Sequence, residues 1–401
     1  MEAAIIKVIF VLDSLRCGGA EKDLVTLLSL LDYSAYEVDL FLHQRGGIFE
    51  EVVPQEVTIL DGLEYARFTV LPLSSLLFES VRTRDFKKLI LRIKNSIRQR
   101  LSLKKVHGAQ KFWESMGCLI DKNPVRYDAA IAFSQGFPTY YVAEKIQSDK
   151  KFAVVNIDYV AAGYDRNHDF PYYNKYNKIV VDSEKVKEIM QSAFPELSKN
   201  VEIINHILDP TFMERQAKLG ESYQDGFDGV RLLTIGRLVA QKGYDIAMEA
   251  CRKLKDKGLK FRWYVLGEGP LYAQMEEYIK KNELSENFIL LGAKLNPYPY
   301  LKACDIYVQT SRFEGYGIAL AEARMFNKPI VTTNFDVVYE QMKDGENGLI
   351  VEMNADAVCQ GVLKLAGNNV LVKKIVENLK AEKKGNIDEV EKWQNLIGTN
   401  N

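Results

Sequence analysis

The chain has 401 residues, which is too long for one simple hydrophobic core and sets two domains as the expectation. With 47% hydrophobic and 27% charged residues it has the balance of a soluble globular protein, and a net charge of -1 excludes a global polyanion-binding field. The five cysteines (Cys17, Cys118, Cys251, Cys304, Cys359) are scattered and never form a C-x-x-C pair, which argues against a disulfide framework or a zinc site and fits a reducing cytoplasm.

The start, "MEAAIIKVIFVLD", is apolar but carries Lys7 and reaches Asp13 quickly. It reads as a first buried strand rather than a signal peptide, and no window approaches eighteen uninterrupted apolar residues. Apolar runs then alternate with helical patterns. Strands are expected at 5–12, 36–42, 127–133, 151–157, 177–183 and 201–205, and again at 230–236, 260–267, 287–292, 304–310, 328–333 and 347–351. Continuous Val/Ile/Leu runs between helices of 10–15 residues indicate parallel sheets covered on both faces. The polar, Gly-rich stretch "KLGESYQDGFDG" separates the two series. The expected division is 1–205 for the first domain, 206–229 for a linker, 230–380 for the second domain, and 381–401 for a terminal segment. Within that segment Val390, Trp393 and Ile397 share one helix face.

Ligands of such sheets bind beyond the carboxyl ends of the strands, so the loops there carry the chemistry. The first strand ends in "DSLRCGGAEK", where Gly18 and Gly19 precede a helix and suit either a tight turn or backbone approach to an anion. The strand at 230–236 ends in "GRLVAQKG". Arg237 and Lys242 could neutralise a diphosphate there, although cations on loops are ordinarily just solvated. "LGEGP" (266–270) is only half of a dinucleotide fingerprint, because Tyr272 stands where the third glycine belongs. The strand at 304–310 runs into "SRFEGYGIALAEARMF". Gly315 and Gly317 free the backbone, the N–H groups of Tyr316, Gly317 and Ile318 are helix-start donors, and Ile318, Ala321 and Met325 form an expected inward stripe with Glu322 at its edge. Glu314 by itself would be a solvated loop carboxylate, and Glu322 a helix-dipole charge.

In order, "GGAEK", "GRLVAQKG", "LGEGP" and the E-x7-E pattern of "EGYGIALAE" resemble the retaining glycosyltransferases of family 4, and the resemblance covers most of the chain. It implies the GT-B architecture: two tandem Rossmann-like, doubly wound parallel-sheet α/β domains facing across a cleft, with the last helix crossing back to the first domain. It also implies roles. Arg237 and Lys242 would grip the diphosphate of a nucleotide-sugar, mildly favoured to be UDP-linked. Glu314 would contact the transferred hexose, Glu322 the ribose, and the N–H groups of Tyr316, Gly317 and Ile318 the β-phosphate or sugar. Gly18 and Gly19 would close over the donor. Family members commonly carry a histidine after a late strand of the first domain; here Asn156 stands at that position, with Asp158 beside it. No D-x-D occurs, so the reading needs no metal and no cofactor beyond the nucleotide-sugar. The alternatives are a catalytically weak homologue serving as a binding partner, kept open by Asn156, and a nucleotide-sugar epimerase. A nicotinamide oxidoreductase is disfavoured because the glycine fingerprint is missing.

From Arg82 to Lys111 the chain holds eleven Lys/Arg against one acid, Asp85. Phe86, Leu89, Ile90, Ile93, Ile97 and Leu101 recur at helical spacing among them. A basic amphipathic helix of this kind reads as a contact with an anionic membrane surface. No nucleic-acid recognition motif accompanies it. The resemblance points the same way, towards a lipid-linked saccharide acceptor and a cytoplasmic, membrane-peripheral enzyme.

Overall fold

A computed structural model describes residues 5–16, 18–60, 81–82 and 107–398. The basic helix expected from Arg82 to Lys111 falls mostly on 83–106, outside the described residues. The chain divides into two compact units. One comprises residues 1–16, 20–205 and 390–401, and the other 17–19 and 206–389.

The sheet of the first unit is built from β1 (Ile6–Leu12), β2 (Tyr36–Leu42), β3 (Thr58–Leu60), β4 (Arg126–Ala132), β5 (Gln147–Val155), β6 (Lys178–Val181) and β7 (Val201–Ile203). Their spatial order is β3-β2-β1-β4-β5-β6-β7, with all pairings parallel. Such a sheet is covered on both faces, which is why Val8 to Leu12 and Ala129 to Ala132 are all buried and read as unbroken apolar runs. β3 escaped the sequence reading: it is three residues long, lies at the sheet edge and is partly exposed.

Beyond β5, Asp165 caps the helix Arg166–Tyr173 by accepting from the N–H of Asn167. Inside that helix Asp169 is 1% exposed. Its carboxylate accepts from the hydroxyls of Tyr140 and Tyr159, both at 2.7 Å, and from Gln110 Nε2 at 2.8 Å. A buried carboxylate is tolerated only with partners of this number. The helix Glu389–Gly398 also belongs to this unit; Trp393 and Ile397 are buried, and the Trp393 ring stacks on Phe133 at 5.6 Å.

The second unit repeats the scheme with β8 (Val230–Ile235), β9 (Phe261–Leu266), β10 (Phe288–Leu290), β11 (Ile306–Gln309), β12 (Ile330–Thr333) and β13 (Leu349–Val351), in the order β10-β9-β8-β11-β12-β13. Residues 206–229 fold onto this unit: they include the helix Pro210–Gln216, whose Met213 is buried, and the hydroxyl of Tyr223 donates to the carbonyl of Tyr300 at 3.1 Å. In both sheets the order reverses beside the first strand, at β1/β4 and at β8/β11. Crevices for ligands open at such switch points.

Candidate active site

At the second switch point β8 and β11 are hydrogen-bonded neighbours, so their carboxyl-end loops meet. After β8 a single turn, Ala240–Lys242, leads to Gly243 at φ +64°, which starts the helix Tyr244–Asp256. A Cβ on Gly243 would lie 2.0 Å from the carbonyl oxygen of Thr310, so both backbone conformation and space require glycine. The two loops are stitched together on either side of that contact. Arg312 N–H donates to the Gln241 carbonyl at 2.8 Å, and the Thr310 hydroxyl donates to the Lys242 carbonyl at 2.9 Å. Gln241 Nε2 donates to the Phe313 carbonyl at 2.9 Å, and Arg312 forks onto both oxygens of Asp245 at 2.9 and 2.6 Å.

This seam brings Lys242 onto Glu314. Nζ lies 2.7 Å from Oε1 and 2.9 Å from Oε2. Glu314 is 6% exposed and is not the solvated loop carboxylate that its position alone suggests. Ser311 Oγ donates to its Oε1 at 2.6 Å and Gln309 Nε2 at 3.1 Å; the Tyr307 hydroxyl in turn donates to Gln309 Oε1 at 3.1 Å. Tyr307, Gln309 and Ser311 alternate along β11 and its extension, so they share one side of the strand and form a buried polar column under the carboxylate.

Gly317 takes φ +94° and opens the helix Ile318–Met325. Tyr316, Gly317 and Ile318 therefore lie at a helix start, where N–H groups lack intrahelical partners, and the Tyr316 carbonyl is held by Gln341 Nε2 at 2.6 Å. The buried face of this helix is Leu320, Ala321, Glu322 and Ala323. Ile318 and Met325 are only half-buried, which corrects the expected Ile318/Ala321/Met325 stripe. Glu322, 3% exposed, sits inside rather than at an edge because the Tyr298 hydroxyl donates to its Oε1 at 3.1 Å. Burial, together with the Glu322 charge, holds the Tyr298 phenol well above its ordinary pKa, so it stays a donor.

Arg237 follows β8 and is exposed; among the described residues its guanidinium has no ion-pair partner. The loop after β9 is pinned against it. Leu238 N–H donates to the Glu268 carbonyl at 2.9 Å, and a Cβ on Gly267 would lie 2.0 Å from the Gly236 carbonyl. The half-fingerprint "LGEGP" is thus a close-approach device between two loops.

Gly18 and Gly19, which group with the second unit, follow β1, with Gly19 opening the helix Gly19–Leu30. Asn156 follows β5, and its N–H donates to Gln135 Oε1 at 3.4 Å. Asp158 is engaged in its own turn, accepting from the N–H groups of Val160 and Ala161 at 3.0 and 2.8 Å. Among the described residues no group of three or more His, Cys, Asp or Glu is placed to hold a metal ion. No helix among them is long and apolar enough to cross a membrane.

Tyr298, Gln309, Ser311 and Gln241 were not singled out by sequence reasoning. The one signal was the polar run Gln309-Thr310-Ser311 closing an otherwise apolar strand.

Two parallel-sheet Rossmann-like domains, each with its loops gathered at the strand-order reversal, define the GT-B class of fold. Residues 227–382, almost the whole of the second unit, match the family model described as glycosyl transferases group 1. An uncharacterized glycosyltransferase of Methanocaldococcus jannaschii is 28% identical over 169 residues, 41% of this chain and 42% of that protein. The N-acetylgalactosamine-N,N'-diacetylbacillosaminyl-diphospho-undecaprenol 4-alpha-N-acetylgalactosaminyltransferase of Campylobacter jejuni is 29% identical over 203 residues, 50% of this chain and 54% of that protein. The chain therefore spans about half the length of the curated relatives it matches. Among solved structures, Anabaena Alr3699/HepE in complex with UDP-glucose superposes with a TM-score of 0.67 at 14% identity, covering 97% of this chain and 98% of that one; this likeness is one of fold.

Proposed function

We propose that the protein is a retaining glycosyltransferase that moves a hexose from a nucleotide-sugar, UDP-linked, to a hydroxyl of a growing, lipid-linked glycan at the inner face of the membrane. The observation that carries the reading is the Lys242–Glu314 pair, its carboxylate buried just ahead of the helix that also bears Glu322. The match of 227–382 to glycosyl transferases group 1 supports the reaction class. The UDP-glucose in the Anabaena structure supports the donor, and the undecaprenol named for the Campylobacter relative supports the acceptor.

Transfer breaks the bond from the sugar's anomeric carbon to the β-phosphate oxygen. The electron pair leaves with the phosphate, and the acceptor hydroxyl bonds to the same face of that carbon. Its proton passes to the departing phosphate oxygen, so the scheme needs no protein base. Positive charge grows on the sugar and negative charge on the diphosphate. Arg237 and Lys242, with the helix-start N–H groups of Tyr316, Gly317 and Ile318, would stabilise the leaving group, an effect of several kcal/mol per preorganised donor. Glu314, whose carboxylate Lys242 meets at 2.7 Å, would accept from the sugar hydroxyls. Glu322 would accept from the ribose hydroxyls. Gly18, Gly19 and Asn156 would also serve substrate. The cations supply the charge that a metal supplies elsewhere, and the reading makes the reaction metal-independent.

The test is release of UDP from UDP-sugars in EDTA, with a lipid-linked saccharide present. Turnover in EDTA that Glu314→Ala abolishes is the expected result. A requirement for added divalent metal, or equal turnover by the variant, would sink the corresponding part of the proposal.

A further inference from the structure

We propose that Glu382 is a positioning residue for donor binding: a single carboxylate that fixes both ends of the helix Ile318–Met325. It thereby sets where Glu322 and the helix-start N–H groups stand. The ligand rests on the nucleotide-sugar reading above; the anchor does not. The helix has eight residues. One so short is not stable by itself in water, so its orientation is supplied by whatever holds it. Its head carries no side-chain cap, because the cap residue is Gly317, and its tail ends in carbonyls without intrahelical partners.

Glu382 follows the helix Asn369–Ala381, 58 residues after Arg324. Its Oε2 accepts from Arg324 Nη2 at 2.7 Å, in the last turn of the short helix. Two residues on, Lys384 Nζ donates to the Arg324 carbonyl at 3.0 Å, which puts a cation at the negative end of the helix dipole. The other carboxylate oxygen serves the head. Asn347 Nδ2 donates to Glu382 Oε1 at 2.8 Å and to the Gln341 carbonyl at 3.1 Å. Gln341 Nε2 in turn donates to the Tyr316 carbonyl at 2.6 Å, one residue before the cap. Asn347 and Gln341 are both buried, so a bond lost here is not replaced by bulk water. Removing Glu382 therefore releases Arg324 at the tail and Asn347 at the head together. Removing Arg324 releases the tail alone. That asymmetry separates a two-ended anchor from an ordinary ion pair, which would respond alike to loss of either partner.

The full chain, Glu382→Ala, Glu382→Gln and Arg324→Met are compared by two measurements well below their melting temperatures. Deuterium exchange without ligand, followed by mass spectrometry, sets peptides covering Ile318–Met325 against peptides covering the helix Tyr244–Asp256. Calorimetry gives the affinity for UDP. In Glu382→Ala the short helix should exchange at least about fivefold faster while the reference helix is unchanged, and UDP should bind about fivefold more weakly. Arg324→Met should show a smaller effect in both measurements. So should Glu382→Gln, which keeps an oxygen for Asn347. Wild-type UDP affinity in folded Glu382→Ala, or equal acceleration in both helices, makes Glu382 a general stabiliser and overturns the proposal. Arg324→Met matching Glu382→Ala overturns the two-ended anchor. Should Glu382→Ala not fold, undiminished UDP affinity in both remaining variants overturns the proposal instead. A wild type that binds no UDP sinks the donor reading by itself, and the exchange rates then decide the anchor.

Discussion

Lys242 and Glu314, 72 residues apart in sequence, meet through both carboxylate oxygens, with Lys242 21% and Glu314 6% exposed in their side chains. Taking away one partner leaves a largely buried charge uncompensated. Glu314→Ala and Lys242→Ala should each destabilise by ~2 kcal/mol, below the cost of a fully buried pair because Lys242 reaches solvent. The double variant should recover about 1–2 kcal/mol of that in a double-mutant cycle followed by urea unfolding. Simple additivity would show that the two residues contribute independently.

Gly243→Ala tests the seam between the loops. A left-handed φ of +64° and a Cβ 2.0 Å from the Thr310 carbonyl together imply a loss of ~2–3 kcal/mol. The larger consequence should be functional, because parting the loops moves Lys242 off Glu314. UDP affinity of the refolded variant, measured by calorimetry, should fall at least tenfold (~1.4 kcal/mol). A variant with wild-type UDP affinity would show that the seam does not organise the site.

Arg237 is the exposed cation of the pair proposed for the diphosphate. Arg237→Ala should weaken UDP by about tenfold and leave uridine unaffected, while Arg237→Lys should restore only part of the loss because a point charge cannot fork onto two oxygens. Equal losses for UDP and uridine in a calorimetric comparison would place the side chain elsewhere.

Tyr298→Phe removes one hydroxyl that donates to Glu322. If that bond orients the carboxylate towards the ribose, UDP affinity drops by about fivefold (~1 kcal/mol) while 2′,3′-dideoxy-UDP affinity does not change. A uniform loss for both nucleotides would mark a packing role only.

Asp225 sets an acid limit. Burial pushes its carboxyl pKa up, but the Tyr264 hydroxyl, Arg262, the Phe227 N–H and Arg231 outweigh that and hold it well below the ordinary carboxylate range. A folded-state pKa below the unfolded one contributes stability that is complete above about pH 4 and is lost as pH falls further, through the folded value. Asp225→Asn should therefore melt lower than wild type at pH 6, by the equivalent of ~1–3 kcal/mol, with the gap closing below pH 4. A gap that stays constant across this range, followed by calorimetry, would assign the effect to packing.

Much of this architecture was legible because buried parallel strands leave unbroken apolar runs; all but β3 could be located from such runs. Strand order was not legible, and with it the site. β8 precedes β11 by two intervening strands, yet the two are sheet neighbours, so nothing in the spacing says that Lys242 will touch Glu314. The reading of Glu322 as a helix-edge charge followed from treating carboxylates as exposed by default; a tyrosine 24 residues earlier reverses that, and periodicity carries no trace of it.

Trp393 stacks on Phe133, yet it is made only after the whole of residues 206–389. During synthesis the first unit must therefore wait, with its Phe133 face uncovered, until the second has left the ribosome. A truncation at residue 389 would make that wait permanent, so the shortened protein should aggregate while the second unit still folds.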